Sequence, residues 1–163
     1  MNGAYYHLVV NHLPLIFPIV GMIVLLVGLL SKSEPVKRTG YLIFILGAIC
    51  SILAMASGEE AEEVVEKIKD IDEKYIKSHE HVAETFAILS YILGAISILG
   101  LLVSFTRKKF SNIVAIIAVA FTIVVLFFAK ETGTTGGEIR HSEIRPGSAS
   151  NSSANSENNK YND

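Results

Sequence analysis

Hydrophobic positions in this chain are concentrated in four long, uninterrupted blocks. The blocks cover residues 13–30, 39–58, 85–106 and 110–129, and none of them contains Asp, Glu, Lys or Arg. A helix needs about 20 mainly apolar residues to cross a hydrocarbon core of roughly 30 Å, and it satisfies its own backbone hydrogen bonds inside lipid. The pattern predicts an all-α integral membrane protein, folded as an up-down-up-down four-helix bundle.

The connection between the second and third blocks keeps a helical pattern. Ala61, Val64 and Ile68 recur at three- and four-residue steps, and Glu and Lys occupy most of the other positions. This is the period of an amphipathic helix. We therefore expect an extramembrane extension of helices 2 and 3, with a turn at 70–72 and Ser78 as the N-cap of the third helix.

The start of the first block allows two interpretations. In one, Asn11 caps a helix that begins at His12 and has Pro14 in its first turn. In the other, the helix begins near Tyr5 and bends at Pro14 and Pro18. Both interpretations place His12 at the rim of the first membrane span and not at its centre.

A glycine-rich segment follows the last block. Gly133, Gly136 and Gly137 predict a sharp return of the chain, which would bring Arg140 and His141 back over the rim of the bundle. The transmembrane domain is therefore expected to cover residues 1–145. The remaining segment, 146–163, is mostly Ser, Asn, Gly and Glu, a composition that predicts a disordered polar tail.

Charge predicts the orientation of the bundle. The first connection carries Lys32, Lys37 and Arg38, and the third carries Arg-Lys-Lys at 107–109. Short loops rich in Lys and Arg stay in the cytoplasm, so both termini are predicted to be extracytoplasmic in a bacterial cytoplasmic (inner) membrane. The net charge of −2 gives no reason to expect a nucleic-acid partner. The lipid bilayer is the predicted partner, and the single Cys50 lies within a span and excludes an intramolecular disulfide.

This topology places every histidine at the extracytoplasmic rim, beside the carboxylates that end the second block and begin the third. Imidazole and carboxylate are ligands of zinc, iron, manganese and copper, and two imidazoles can also form the axial pair of haem b. The sequence therefore predicts a haem b or transition-metal ion at this rim. The histidines are His7, His12, His79, His81 and His141, and the acids are Glu59, Glu60, Glu62, Glu63, Glu80 and Glu84.

Helical geometry narrows the choice among the histidines. His79 and His81 are two residues apart and point to nearly opposite sides of a helix, and periodicity leaves open which of them faces the bundle axis. The first and third helices of an up-down bundle are diagonal, so His12 is expected to meet one of that pair. A histidine at the rim can instead be a partly solvated side chain at the membrane interface that binds no ligand. We favour this alternative for His7 and His81 taken singly.

The predicted sets follow from this placement. The cofactor-binding residues are Asn11, His12, His79, Arg140 and His141. The metal ligands are His12, Glu59, Glu62, His79, Glu80 and His141.

Four motifs resemble, in order, those of a family of bacterial four-span membrane proteins with no assigned activity, which is distantly similar to the DUF2231-type predicted membrane proteins. The resemblance covers residues 5–145. It implies that the predicted cofactor and metal residues belong to one site, and it suggests a cytochrome b-like role. Ser57 stands where Thr is usual, and Glu138 where Gln is usual. The motifs are His7-x-x-x-Asn11-His12-x-Pro14, Ser57-Gly58-Glu59-x-Ala61-Glu62-Glu63, His79-Glu80-x-x-Ala83 and Gly133-x-x-Gly136-Gly137-x-Ile139-Arg140-His141-x-Glu143.

The sequence is compatible with two functions. The first is a cofactor-binding membrane protein that serves electron transfer or other redox chemistry with a redox partner. The second is a non-catalytic accessory or structural subunit of a larger membrane complex. A metallohydrolase ranks last because no His-Glu-x-x-His motif occurs, and a transporter is disfavoured because no span carries an ionisable group at mid-membrane. The sequence names no reaction and leaves open whether the protein is an enzyme.

Overall fold

The structure of the chain is a computed structural model, and it describes residues 3–68, 72–106 and 108–145. The described residues are helical apart from short turns and contain no strand, which confirms the all-α prediction. The predicted disordered tail, and the turn residues 70 and 71, lie outside the described residues. The helices are α1 Gly3–Val10, α2 Leu13–Leu30, α3 Glu34–Val65, α4 Glu73–Thr106 and α5 Lys108–Arg140, followed by the 3-10 turn Ser142–Ile144.

Four stretches of helix are long and apolar enough to cross a membrane: Gly3–Leu30, Glu34–Val65, Glu73–Thr106 and Lys109–Arg140. The chain is a multi-pass membrane protein. The membrane-spanning segments proper are the uncharged blocks, because ionised side chains are costly in hydrocarbon. Helix α3 continues beyond its block to Val65, and α4 begins at Glu73, well before its block. The predicted extensions of the second and third spans are therefore confirmed.

The four long helices form a closed bundle. Each packs against the next in the chain, and α2 also packs against α5, so that α3 and α5 lie diagonally; α1 packs on α3. Glycines allow the close approach that membrane helices use. A Cβ at Gly94 would lie 2.7 Å from the Cβ of Ala48, and one at Gly21 would lie 2.7 Å from the ring of Phe44. The fold is thus a tightly packed four-helix bundle.

The chain breaks between α1 and α2 at Asn11 and His12. Helix α1 begins at Gly3, earlier than either interpretation expected, and the break precedes Pro14 instead of a bend at it. The reason is that Pro14 lacks an N–H, and its ring would clash with the carbonyl of Val10 in a continuous helix. Asn11 does not cap α2, since its Oδ1 is buried and has no hydrogen-bond partner among the described residues.

The glycine-rich segment does not turn. Helix α5 runs through Gly133, Gly136 and Gly137 to Arg140, so the predicted sharp return is wrong. Glycine permits a left-handed backbone but does not require one, and here the preceding helix propagates through it. The chain turns only after Arg140, into the 3-10 turn.

Helix α4 begins before the predicted cap. Ser78 lies inside the helix, and the prediction that it caps the helix is wrong. Asp72 takes that role, since its Oδ1 accepts a hydrogen bond of 2.9 Å from the backbone N–H of Lys74. Asp and Ser both suit this position, and the helical pattern upstream of Ser78 simply continues further toward the N-terminus.

Candidate functional site

The bundle has two chemically different ends. The basic end is the one where α2 ends and α3 begins, and where α4 ends and α5 begins. The histidine end is the opposite one, formed by α1, the α3–α4 connection and the end of α5. The residues of the predicted cofactor site lie at the histidine end.

The side chain of His7 connects α1 to α3. Its Nδ1 lies 3.1 Å from the carbonyl oxygen of Ala54 and 3.1 Å from Oγ of Ser57. The Ser57 hydroxyl itself donates to the Ala54 carbonyl at 3.0 Å. A carbonyl can only accept, so the neutral His7 ring carries its proton on Nδ1 and leaves Nε2 as an acceptor.

His79 is held by α5 in the same way. Its Nδ1 lies 3.2 Å from Oγ1 of Thr135. The Thr135 hydroxyl donates its one proton to the carbonyl of Glu131 at 3.0 Å, so its oxygen accepts from the imidazole. The neutral His79 ring therefore also carries its proton on Nδ1. In this tautomer Nε2 is the acceptor nitrogen of the ring.

Two glycines bring these rings close to the neighbouring helices. A Cβ at Gly136 would lie only 3.1 Å from Cε1 of His79. A Cβ at Gly58 would lie 3.6 Å from Cε1 of His7, an ordinary van der Waals distance. Gly136 is thus the position where a side chain would press directly on an imidazole.

Both rings are disposed to be neutral. Burial lowers the pKa of His79, and a charge on His7 lowers it further, against a smaller opposite effect from a hydrogen bond with the backbone of Thr132. Burial also lowers the pKa of His7, opposed by its hydrogen bond to Ala54. The influence of His7 on the pKa of His79 places the two imidazoles in one electrostatic environment, although they lie far apart in the sequence.

The structure decides between the alternatives that periodicity left open. His79 is half-buried against α5, whereas His81 is exposed. His12 is also exposed, so it does not face the axis. From the N-terminal segment, the inward ring is His7, for which we had favoured an interface role. Its three-residue spacing from the apolar Val10, which is buried, was the signal for an inward face.

Arg140 and His141 do not return over the bundle. Both are exposed, and Nδ1 of His141 lies 2.9 Å from Oε1 of Glu143 in its own short turn. A backbone hydrogen bond and the His141 contact lower the pKa of Glu143. His141 thus has its described partner within its own segment.

Arg145 anchors this segment, a role that the sequence did not indicate. Its Nε donates to the carbonyl of Glu138 at 2.9 Å, and its Nη2 donates to that of Ile139 at 3.1 Å. These are among the carbonyls that the end of a helix leaves without partners. The guanidinium also lies 4.2 Å from the centre of the Tyr75 ring on α4. Arg145 therefore caps α5 and fastens it to α4.

The predicted carboxylate ligands lie mostly at the surface. Glu59 and Glu80 are exposed and Glu62 is half-buried. Burial raises the pKa of Glu62, and the neighbouring charges of Glu80 and Glu66 raise it further. Within residues 3–68, 72–106 and 108–145, no three His, Cys, Asp or Glu side chains form a group that could hold a metal ion. The six predicted ligands are thus not gathered around one centre.

The most deeply buried charge lies at the basic end. Lys37 is 1% exposed, and its Nζ donates to Oε1 of Glu34 at 2.7 Å, to Oγ of Ser111 at 2.9 Å and to Oδ1 of Asn112 at 2.7 Å. Ser111 donates in turn to Oε2 of Glu34 at 2.8 Å. Every N–H of the ammonium group is used, and the side chain links α3 to the diagonal helix α5.

Sequence reasoning used Lys37 only as a topology signal. The acid three residues before it, Glu34, was the available hint of an ion pair on one helix face. Burial by itself raises the pKa of Glu34, but hydrogen bonds from Lys37 and Ser111 outweigh it and lower the value overall. The network is a satisfied ion pair and not an open site.

Comparison of the chain with protein-family models, curated proteins and solved structures returned no match. The resemblance to a bacterial four-span family, and the cytochrome-like role that it implies, therefore stay predictions. The function has to be argued from the contacts of the described residues.

Proposed function

We propose that this membrane protein binds a transition-metal ion at its histidine end, through Nε2 of His7 and Nε2 of His79, and serves electron transfer there. One observation carries the proposal. Each of the two inward imidazoles donates its Nδ1 proton to a fixed oxygen, so each presents an unprotonated Nε2. The two rings also share one electrostatic environment.

The residues fit such an ion. Metal-binding histidines commonly donate their second ring N–H to a carbonyl or carboxylate, which fixes the tautomer and the ring orientation. The bond from His7 to the Ala54 carbonyl has this form. A lowered pKa favours the neutral ring that binds metal. Imidazole suits zinc, copper, iron and nickel, and a redox-active member of this group would supply one-electron chemistry when bound.

The packing around the rings favours a small ion over a haem. The Cε1 atoms of His79 and His7 lie against the backbones of Gly136 and Gly58, so the helices approach closely where a macrocycle would have to enter. Two protein ligands also leave coordination positions for external ligands. Haem b is the competing form of the same proposal, because two imidazoles can serve as its axial pair.

The proposal includes the orientation of the bundle. Lys32 and Lys109 are exposed at the basic end, and Lys-rich and Arg-rich short loops stay in the cytoplasm. The histidine end then lies on the extracytoplasmic side of a bacterial inner membrane, with both termini. A cysteine placed at Ser142 should accept a membrane-impermeant maleimide in intact cells, and one placed at Ser31 should not.

The test of the metal site is elemental analysis and absorption spectroscopy of the purified protein, oxidised and then reduced with dithionite. We expect stoichiometric metal that is lost in His7→Ala and in His79→Ala. The matched controls are His12→Ala and His81→Ala, because these rings are exposed, and they should retain the metal. A Soret band would indicate that the bound group is haem b and not a metal ion alone.

Two results would refute the site. One is a well-folded protein that holds neither metal nor haem after purification without chelators and after reconstitution with copper, iron or zinc. The other is full retention of metal in both His7→Ala and His79→Ala. Unchanged helix content by circular dichroism separates loss of metal from loss of fold.

A second candidate function is an accessory subunit of a larger membrane complex. The observation that favours it is the acidic surface of the α3–α4 extension, where Glu59, Glu63, Glu66, Glu73 and Glu80 are exposed. Such a surface suits a basic extramembrane partner. A stable complex recovered by affinity purification, and lost on charge reversal of Glu63 and Glu66, would support it; a metal-loaded protein that purifies alone would favour the first function.

A further inference from the structure

Arg38 is held rigidly at the membrane border of the basic end. Its Nε donates to Oγ of Ser104 at 3.0 Å, and its Nη2 donates to the carbonyl of Ser104 at 2.9 Å. The guanidinium carbon lies 3.7 Å from the centre of the Phe105 ring. One face and one edge of the guanidinium are therefore fixed by residues of α4, although Arg38 itself belongs to α3.

Arg38 forms no salt bridge within the part of the chain that the structure describes, although its charge contributes at longer range to lowering the pKa of Glu34. No carboxylate oxygen there lies within 4.0 Å of its nitrogens. The nearby acid, Glu34, is already engaged, since Lys37 occupies Oε1 and Ser111 occupies Oε2. The fixed hydrogen bonds of Arg38 use Nε and one N–H of Nη2, so Nη1 keeps its donors for another acceptor.

The position of this charge matches the headgroup level of a bilayer. Arg38 immediately precedes the uncharged block of α3, and Phe105 lies at the end of the block of α4. Phe105 is 61% exposed, and the apolar side chains on the same helix faces, Leu42 and Leu102, are also exposed. A cation thus lies above exposed apolar side chains of α3 and α4.

We propose that Arg38 binds the phosphate of an anionic phospholipid at this border of α3 and α4, with an acyl chain of the lipid along Leu42 and Leu102. The planar guanidinium matches phosphate oxygens in a two-point geometry that an ammonium cannot reproduce. The lipid would be anionic because Arg38 has no carboxylate within salt-bridge distance among the described residues, and the exposed Lys32 and Lys109 lie at the same end. Basic pockets between helices on the cytoplasmic side suit such headgroups. This proposal does not depend on the metal site.

The test is native mass spectrometry of the detergent-purified full chain titrated with phosphatidylglycerol or phosphatidylcholine. We expect saturable binding of phosphatidylglycerol, much weaker binding of phosphatidylcholine, and about a tenfold loss of phosphatidylglycerol affinity in Arg38→Gln. Arg38→Lys keeps the charge but removes the planar group, and it should lose most of the same affinity. Lys32→Gln is the control for general charge attraction and should lose much less.

Three outcomes would overturn the proposal. These are equal binding of the two lipids, unchanged phosphatidylglycerol affinity in both Arg38 variants, and an equal loss in Lys32→Gln, which would indicate a diffuse electrostatic effect. Thermal unfolding of each variant without added lipid shows whether it is folded. If Arg38→Gln does not fold, Arg38→Lys alone decides the outcome.

Discussion

Side-chain nitrogen atoms at the two ends of the bundle differ in how deeply they are buried and in how many of their hydrogen bonds are made. At the basic end, Lys37 is almost fully buried and each of its three N–H groups has an oxygen partner. At the histidine end, His7 and His79 are only half-buried, and the contacts of each ring with neighbouring side-chain or carbonyl oxygens run through Nδ1. The basic end is a completed structural contact. In the proposed function, the histidine end supplies the Nε2 atoms that bind a metal ion.

This contrast separates burial from function. A buried charge with every donor paired stabilises the arrangement of the helices but has nothing left to offer a ligand. A half-buried imidazole with one nitrogen fixed and the other open has the form of a binding group. Arg38 lies between these cases, because part of its guanidinium is fixed by Ser104 and part is available.

The largest expected effect comes from removing the saturated cation. Lys37→Ala leaves the Glu34 carboxylate without its ionic partner and opens the α3–α5 link, and we expect a loss of about 3 kcal/mol in the free energy of unfolding. The measurement is unfolding in mixed micelles with increasing sodium dodecyl sulfate. The control is Lys77→Ala, whose exposed pair with Glu73 should contribute nothing measurable.

A loss in Lys37→Ala no greater than that in Lys77→Ala would contradict the structural role of the basic end. The double variant Glu34→Gln with Lys37→Met extends the test. It removes both charges together, so it should recover part of the lost stability. If the double variant recovers no stability, the packing of the aliphatic part of the Lys37 side chain against Gly28 contributes more to stability than the ion pair does.

The pH dependence of stability should distinguish the two ends in metal-free protein. The pKa of His7 and of His79 is lowered from 6.5, so below 6.5 the unfolded chain binds more protons and stability falls as the pH decreases toward the folded values. The pKa of Glu34 is lowered from 4.5, so its contribution is lost only as the pH falls below 4.5. Urea or detergent unfolding across this range is the measurement.

Variants assign the two pH ranges. The double variant His7→Gln with His79→Gln should flatten the upper range, and Glu34→Gln should flatten the lower one. A slope below pH 6.5 that persists in the double histidine variant would show that other groups, such as Glu62, control this range.

A smaller effect is expected from substitutions at two of the glycines of α5. Gly133→Ala should stabilise the protein by about 0.5–1 kcal/mol, because Ala is the better helix residue and nothing lies within 4 Å of the added Cβ. In Gly136→Ala the added Cβ would lie 3.1 Å from Cε1 of His79, so the ring must shift and the gain should be smaller. Thermal unfolding compares the two variants.

Equal stabilisation by Gly133→Ala and Gly136→Ala would show that His79 moves freely in its place. If the metal proposal holds, metal content should also fall in Gly136→Ala and stay unchanged in Gly133→Ala. Metal content is measured independently of stability, and it reports whether the His79 ring keeps its position.

The smallest effect is expected at His141. Its contact with Glu143 joins two exposed side chains, and such pairs contribute little in water. His141→Ala should therefore change neither thermal stability nor metal content, although the sequence placed this residue in the site. A clear loss of metal in this variant would require His141 to move inward when a ligand binds.

The membrane architecture could be predicted from the order of residues because each of its causes is local. Uncharged blocks of sufficient length predict spans, and Ala61, Val64 and Ile68 predict the extension of α3 by their spacing. The boundaries at Ser78 and in the glycine-rich segment were predicted wrongly for one shared reason. Ser and Gly permit a helix end without imposing one, and in both places the helix continued.

The sequence by itself determined that the chain is helical, that it has four spans, and that its histidines collect near one end, since apolar length and helical period follow from covalent order alone. Only the tertiary structure decided that His7 and His79 face inward while His12 and His141 do not. It also decided that Lys37 reaches across to Ser111. These choices depend on how one helix is rotated against another, and that rotation is set by packing at particular glycines and by oxygen atoms far away in the chain.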